Sequence, residues 1–210
     1  MAFLKKHITL TIIAVFHVVG FIGFLVNPHL FNTLTPVNLL LSAFLMVLMS
    51  DQTKPKFYAT LLVIGVAGYF IEVIGVKTGF IFGRYYYGSA LGYKFLSVPL
   101  LIGLNWILLS YSTSLFFRSA NIVINALCGA ALMVGLDFLM EQSAAKFNFW
   151  YWVNGSIPLQ NYIAWFCISF LIHLLADKEL SKKPNLTAKG FYIIQVIFFA
   201  ALYFFTRYKK

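Results

Sequence analysis

The chain has 210 residues, of which 61% are hydrophobic, 19% aromatic and only 10% charged. Soluble domains average about 45–50% apolar and about 25% charged residues, so this composition excludes a soluble domain and indicates an integral membrane protein. The net charge of +10 does not indicate nucleic-acid binding, because the basic residues fall in short loops and at both ends, where a membrane topology signal places them.

Seven apolar stretches are predicted as membrane helices, because a spanning helix needs about 20 mostly apolar residues. In chain order they cover residues 8–26, 37–50, 57–76, 98–117, 121–140, 161–176 and 188–206. The apolar runs are continuous rather than alternating, which favours helices over barrel strands. The linkers are short, so the sequence predicts one transmembrane domain over residues 1–210, an all-α bundle of about seven helices.

The first stretch follows Lys5 and Lys6 and is predicted to be an uncleaved span, because no small-residue cleavage site follows its apolar run. Basic residues favour an inner N-terminus only slightly, with nine on that side and seven on the other, Lys209 and Lys210 included. Both cysteines lie in apolar runs and are expected to act as small hydrophobic residues. The four histidines show no metal-ligand spacing, so no metal site is expected.

The six acidic residues divide into two groups of three. One group is expected to be solvated loop charge on one membrane face: Asp51, Asp177 and Glu179. The other group lies in or near the ends of the third and fifth spans, which reach the opposite face: Glu72, Asp137 and Glu141. An ionisable group inside a span is costly and usually faces a cavity or a partner, so the second group marks a candidate site.

Asp137 and Glu141 are one helical turn apart and share a helix face. Two close carboxylates repel, and apolar burial disfavours ionisation of both, so the pair is expected to retain a proton at neutral pH. Such a group is a proton donor that needs no cofactor. The alternatives are a headgroup-level position for Glu141 and, for Glu72, a structural ion pair with a nearby base, Lys77, Arg84 or Lys94.

Aromatic residues are dense on the same face, in two loops that contain Tyr85–Tyr87 and Trp150–Trp152. Interfacial aromatic belts give this pattern. Rings around a site would instead stabilise a cation or line a slot for a long conjugated ligand. Asn105 and Trp106 of the fourth span are expected in the same half of the membrane, and Asn161 begins the sixth span there.

These residues, read in order, resemble a known membrane protein family. The matching positions are Glu72, Gly75, Gly79, Phe82–Tyr87, Leu91–Gly92, Val98–Leu100, Asn105–Trp106, Asp137, Glu141, Phe149–Trp152, Ile157–Pro158, Asn161–Tyr162 and Trp165. Over about residues 60–175 the chain resembles the carotenoid biosynthesis proteins that include carotenoid 1,2-hydratases and bisanhydrobacterioruberin hydratase. The resemblance implies a cofactor-independent hydro-lyase of a bacterial or archaeal cell membrane.

The implied reaction adds water to the terminal isoprenoid C=C of an acyclic carotenoid end group of the lycopene or γ-carotene type. It needs an acid, stabilisation of a tertiary cation and a positioned water. The residues expected to carry catalysis are Glu72, Asp137, Glu141 and Asn161. Those expected to bind the substrate are Tyr85, Tyr87, Asn105, Trp106, Trp150, Trp152 and Trp165. The expected partners are a carotenoid taken from the bilayer and membrane lipid.

Two other functions are compatible with the sequence. An end-group cyclase would use the same protonation but finish by ring closure and proton loss. A transporter or a lipid- or pigment-binding protein would use the apolar spans without chemistry, although transporters more often show inverted repeats, and no internal repeat is evident.

Overall fold

The computed structural model covers the backbone of residues 2–208 and the side chains of that range except residues 2, 3, 5, 206 and 208. It contains seven helices: α1 (Ala2–Val26), α2 (Pro28–Leu48), α3 (Pro55–Thr78), α4 (Leu101–Ser114), α5 (Ile122–Ala144), α6 (Leu159–Leu180) and α7 (Leu186–Tyr208). Six of these are long and apolar enough to cross a membrane. The predicted all-α membrane bundle is therefore confirmed. Part of the topology signal, Lys209, Lys210 and the Lys5 side chain, lies outside the described residues.

Helix α2 begins well before the predicted start at residue 37. Pro28 opens the helix, where the missing N–H of proline costs no intrahelical bond. The side chain of Asn27 caps the same end by accepting the Leu30 N–H at 3.1 Å. Pro36 lies inside α2 without ending it, as membrane helices tolerate when neighbouring groups satisfy the freed backbone.

Helix α4 is the shortest, and the predicted span over 98–117 was too long. Its 14 residues extend about 21 Å, less than the roughly 30 Å of a hydrocarbon core. Five of the other helices, α2, α3, α5, α6 and α7, pack around it. Its backbone approaches α3 so closely that a Cβ on Gly103 would lie 2.8 Å from the Gly65 carbonyl oxygen. Helix α4 is therefore a central helix surrounded by protein.

Four short strands, which the hydropathy pattern did not predict, lie in the two loops between α3 and α4 and between α5 and α6. They are β1 (Tyr85–Tyr87), β2 (Lys94–Phe95), β3 (Val98–Pro99) and β4 (Trp150–Trp152). Strand β1 pairs antiparallel with β4, so that Tyr86 lies opposite Tyr151, and β2 pairs with β3. We call the β1–β4 pair the aromatic ribbon.

On the opposite membrane face, the prediction of solvated loop charge was wrong for Asp177. Helix α6 continues to Leu180, beyond the predicted end at residue 176, and carries Asp177 into the bundle at 4% exposure. Asn125 of α5 donates to its Oδ2 at 3.3 Å. The predicted loop position was also wrong for Glu179, which lies in the last turn of α6. Asp51 lies in the connection between α2 and α3, as predicted.

Candidate active site

All eleven side chains predicted to form a site line one small cavity of about 30 Å³. They are Glu72, Tyr85, Tyr87, Asn105, Trp106, Asp137, Glu141, Trp150, Trp152, Asn161 and Trp165, and Phe82, Ile102 and Met140 complete the lining. Helices α3, α4, α5 and α6 and the aromatic ribbon each contribute. We call this space the carboxyl cavity, because three carboxyl groups face it from two helices.

Glu72 reaches the carboxyl cavity from α3 and is only 3% exposed. The hydroxyls of Tyr85 and Tyr87 both donate to its Oε2 atom, the second over 2.8 Å. No salt bridge in the described part of the chain includes Glu72, so the alternative of an ion pair with Lys77, Arg84 or Lys94 was wrong. The Lys94 ammonium instead donates to the Tyr87 carbonyl oxygen. Glu72 is thus held by phenol hydroxyls rather than by a cation.

Glu141 accepts three N–H groups. The indoles of Trp150 and Trp152 donate to its Oε2 at 3.0 and 2.8 Å, and the Asn161 amide lies 3.3 Å from its Oε1. Its side chain is buried, at 8% exposure for the residue. Glu141 is therefore enclosed by protein and hydrogen-bonded inside the bundle.

Asp137 is the most sparsely hydrogen-bonded of the three acids. It is 2% exposed, and the Asn161 amide at 3.0 Å is the one donor that the described hydrogen bonds give it. The same amide contacts Glu141, so one side chain of α6 links both acids of α5. No group of three or more His, Cys, Asp or Glu among the described residues is placed to hold a metal ion.

The aromatic ribbon covers the carboxyl cavity because strand residues alternate between two faces. Tyr85, Tyr87, Trp150 and Trp152 point to the carboxyl groups, whereas Tyr86 and Tyr151 stack on the outer face with ring centroids 5.3 Å apart. Burial raises the pKa of the Tyr85 and Tyr87 hydroxyls well above the usual tyrosine value, and the charge of neighbouring Glu72 raises it further. Both hydroxyls therefore remain donors at neutral pH. These four inward-facing rings line the cavity, so the alternative of a purely interfacial belt does not describe them.

Two stacked indoles from two helices form another part of the wall. Trp106 of α4 and Trp165 of α6 stack with centroids 4.4 Å apart and an interplanar angle of 14°. Trp106 is fully buried, and its Nε1–H has no hydrogen-bond partner within the described structure. Gly68 of α3 leaves the space that the Trp106 ring occupies. All four tryptophans of the chain line the carboxyl cavity.

A second, larger cavity of about 200 Å³ adjoins the first. The two share the lining residues Ile102, Asn105, Met140 and Trp150. We call it the apolar cavity, because most of its wall is aliphatic or aromatic. It reaches the outer surface of the bundle between α1 and α2, where lining residues are exposed by 43–55%: Phe16, Val19, Leu34 and Val37.

The apolar cavity is the part of the site that sequence reasoning missed. Much of its wall comes from α1, α2 and α7, helices that carried no predicted site residue. The sequence feature that could have indicated this cavity is the presence of polar residues inside apolar spans. Three of them line the cavity: His17, Asn38 and Gln195.

A family model described as carotenoid biosynthesis protein matches residues 34–208. The match extends beyond the resemblance over 60–175 and includes every residue of the carboxyl cavity. No curated protein and no solved structure shows a significant match to the chain.

Proposed function

Because the chain belongs to the carotenoid biosynthesis protein family, we propose that it is a cofactor-independent hydratase of acyclic carotenoids. The observation that supports this most directly is three buried carboxyl groups around a cavity that adjoins an apolar cavity open to the bundle surface. The substrate is an end group of the lycopene or γ-carotene type, and the product is its tertiary alcohol.

We assign Asp137 as the proton donor. A carboxylate that accepts several N–H or O–H donors is stabilised as the anion. Glu141 accepts three such donors and Glu72 accepts two, whereas Asp137 accepts one, shared with Glu141. Of the three acids, Asp137 therefore has the ionised form that hydrogen bonds stabilise least. It is the acid that carries the proton.

The reaction balances without a redox step. The Asp137 proton adds to the less substituted carbon of the terminal C=C, and a tertiary cation forms at the other carbon. The aromatic rings that line the carboxyl cavity and the negative charges of Glu72 and Glu141 stabilise that cation. A water forms the new C–O bond and releases a proton to Glu141, from which it returns to Asp137.

The size of the carboxyl cavity suits water capture. A buried water needs a cavity volume of at least about 10–15 Å³ and two to four polar partners. The cavity of about 30 Å³ meets that volume, and Asn161, Glu141 and Asp137 are among the polar groups that line it. Room for water beside the acid favours a hydratase over an end-group cyclase, which must keep water away from its cation.

The apolar cavity provides the route for the substrate. Its opening between α1 and α2 lies among exposed apolar side chains of two helices long enough to span a membrane. A carotenoid enters there from the bilayer and places one end group at the carboxyl cavity, while the rest of the polyene stays in lipid. The membrane is the cell membrane of a bacterium or an archaeon.

Pigment analysis tests the proposal. The chain is expressed in a bacterial host that makes lycopene or γ-carotene, and pigments are separated by liquid chromatography and weighed by mass spectrometry. We expect a more polar product that is heavier by one water and has an unchanged chromophore. An isomer of unchanged mass would identify a cyclase, and pigment that is retained unaltered by folded protein would identify a binding protein.

A further inference from the structure

The carboxyl cavity lies close to one end of the bundle. Glu141 is three residues before the end of α5, and Asn161 is two residues after the start of α6. Each is therefore within one helical turn, about 5.4 Å, of the loop that joins the two helices. Strand β4 of the aromatic ribbon lies in that loop, so the ribbon forms the boundary between the cavity and this face of the membrane.

Trp152 is the place where that boundary reaches the surface of the protein. Ten of the residues that line the carboxyl cavity do not also line the apolar cavity. Nine of the ten are buried, and Trp152 is partly exposed. A Cβ at Gly83 would lie 3.3 Å from Cζ3 of Trp152 and 2.7 Å from Cγ of Pro158. We call Gly83, Trp152 and Pro158 the ribbon edge, and the loop beyond it, residues 154–156, is exposed.

The other side of the carboxyl cavity meets the apolar cavity, which opens towards lipid. Leu34 and Val37 at that opening are seven and ten residues beyond Asn27 in the α1–α2 turn, so they lie about 10–15 Å from that turn. The hydrocarbon core of a bilayer contains essentially no water. An end group that enters here also fills the junction at Asn105 and Met140, so water needs a different route.

We propose that the water consumed in the reaction reaches the carboxyl cavity from the membrane face, past the Trp152 ring at the ribbon edge. The two substrates then arrive from different sides. The hydrocarbon comes from the bilayer through the apolar cavity, and water comes from the aqueous phase through the loops. The inference rests on the proposed function, because it names the source of the second substrate of that reaction.

The order of the acids along α5 supports this route. Glu141 is one helical turn nearer to this end of the bundle than Asp137. The Trp152 indole donates to Oε2 of Glu141 at 2.8 Å, so water that passes the ring meets Glu141 first. Glu141 is the group that accepts the proton of this water as the C–O bond forms. Asp137 lies deeper, which suits an acid whose proton must go to the alkene.

The tryptophans provide an assay that does not depend on turnover, because all four line the carboxyl cavity and each carries an exchangeable indole N–H. The full chain is labelled with isotope-enriched tryptophan and placed in lipid nanodiscs, and the exchange of each indole hydrogen with water is measured by NMR. The four signals are assigned with single Trp→Phe variants.

Trp150 and Trp152 are a matched pair within the native chain. Both indoles donate to Oε2 of Glu141, but only Trp152 is partly exposed. Exchange at either N–H therefore reports water beside the same carboxyl oxygen. We expect the Trp152 hydrogen to exchange about tenfold faster than the Trp150 hydrogen, because less local opening is needed to expose it.

Variants at the two sides of the cavity separate the two routes. Trp152→Ala removes the ring at the ribbon edge and is expected to speed exchange at Trp150 about tenfold, whereas Trp152→Phe keeps a ring there and should change it little. Val153→Ala is the control, because Val153 is 59% exposed and does not line the cavity. Met140→Phe narrows the junction and should leave indole exchange unchanged while it slows conversion of lycopene.

Exchange at Trp150 that is as fast as at Trp152 would overturn the inference, as would exchange that slows in Met140→Phe, because water would then arrive through the apolar cavity. Absence of exchange at all four indoles would also overturn it. The comparison of Trp150 with Trp152 needs no substitution, so it decides the matter even if Trp152→Ala does not fold. The proposed function fails separately: a chain with fast exchange at Trp152 that yields no hydrated pigment has the water entrance without the hydratase activity.

Discussion

The Nδ2 atom of Asn161 lies 3.0 Å from Oδ2 of Asp137, across the interface between α6 and α5. The same atom lies 3.3 Å from Oε1 of Glu141. One amide therefore fixes two carboxyl groups that neighbour each other on a single helix. That arrangement gives the two acids different surroundings, because Glu141 also accepts two indole N–H groups and Asp137 does not.

Replacing the proposed proton donor is the most direct test of the mechanism. We expect Asp137→Asn to lower the hydration rate by about 10²–10⁴-fold, the usual contribution of a general acid, while carotenoid binding is retained. The ratio of product to substrate pigment in membranes with equal protein measures it. Asp51→Asn, which removes an exposed acid on the opposite face, is the control. If Asp137→Asn keeps the native rate and Glu72→Gln loses it, the donor is Glu72.

The aromatic ribbon supplies a matched set of tyrosines. Tyr85→Phe and Tyr87→Phe each remove one hydroxyl from Glu72 and are expected to lower the hydration rate by about 10- to 100-fold, from a hydrogen bond to a charged group worth roughly 1.5–3 kcal/mol. Tyr86→Phe removes a hydroxyl from the outer face of the same strand and should have little effect. Equal losses in all three variants would show a general disturbance of the ribbon instead.

The raised pKa values of Tyr85 and Tyr87 predict a loss of stability in alkali. The folded protein holds these protons at a pH where the unfolded chain, with tyrosine pKa values near about 10, has released them. The free energy of unfolding is therefore unaffected below about pH 10 and falls as the pH rises from there towards the folded pKa values. Thermal unfolding at a series of pH values measures this, and the double variant Tyr85→Phe, Tyr87→Phe should show a shallower decline than the native chain.

Alanine substitutions at two glycines distinguish the effect of close packing from the effect of helix propensity. A Cβ at Gly68 would overlap the Trp106 ring, whereas nothing lies within 4 Å of a Cβ at Gly135. Gly68→Ala should displace Trp106, lower the melting temperature and reduce hydration. Gly135→Ala should leave activity intact and stabilise its helix by roughly 0.5–1 kcal/mol. Melting curves with pigment analysis distinguish these outcomes, and an unchanged Gly68→Ala protein would contradict the role of Trp106 packing.

The junction between the two cavities is tested by filling it. Met140 lines both cavities, so Met140→Trp should block access of the end group to the carboxyl groups and abolish conversion of lycopene. Leu127→Trp makes the same addition at a position on α5 that is 44% exposed and should be neutral. Conversion that survives Met140→Trp would show that the substrate reaches the acids by another route.

The sequence by itself determined the class of protein, the number of helices and the meeting of Glu72, Asp137 and Glu141 near one end of the bundle. Those features depend on hydropathy along the chain and on the direction of successive spans, which are local properties. The ordered motifs also determined the family, which the match over residues 34–208 confirms.

Only the tertiary structure decided which groups contact each other. The pairing of Tyr85 with Trp152 joins residues far apart in the chain. Because of this pairing, aromatic residues that the sequence could place in a membrane belt instead donate hydrogen bonds to Glu72 and Glu141. The apolar cavity is enclosed by side chains of α1, α2, α4, α5 and α7, which are distant in the sequence. A hydropathy profile contains no information about such contacts, because a helix that faces lipid and a helix that lines a cavity are equally apolar.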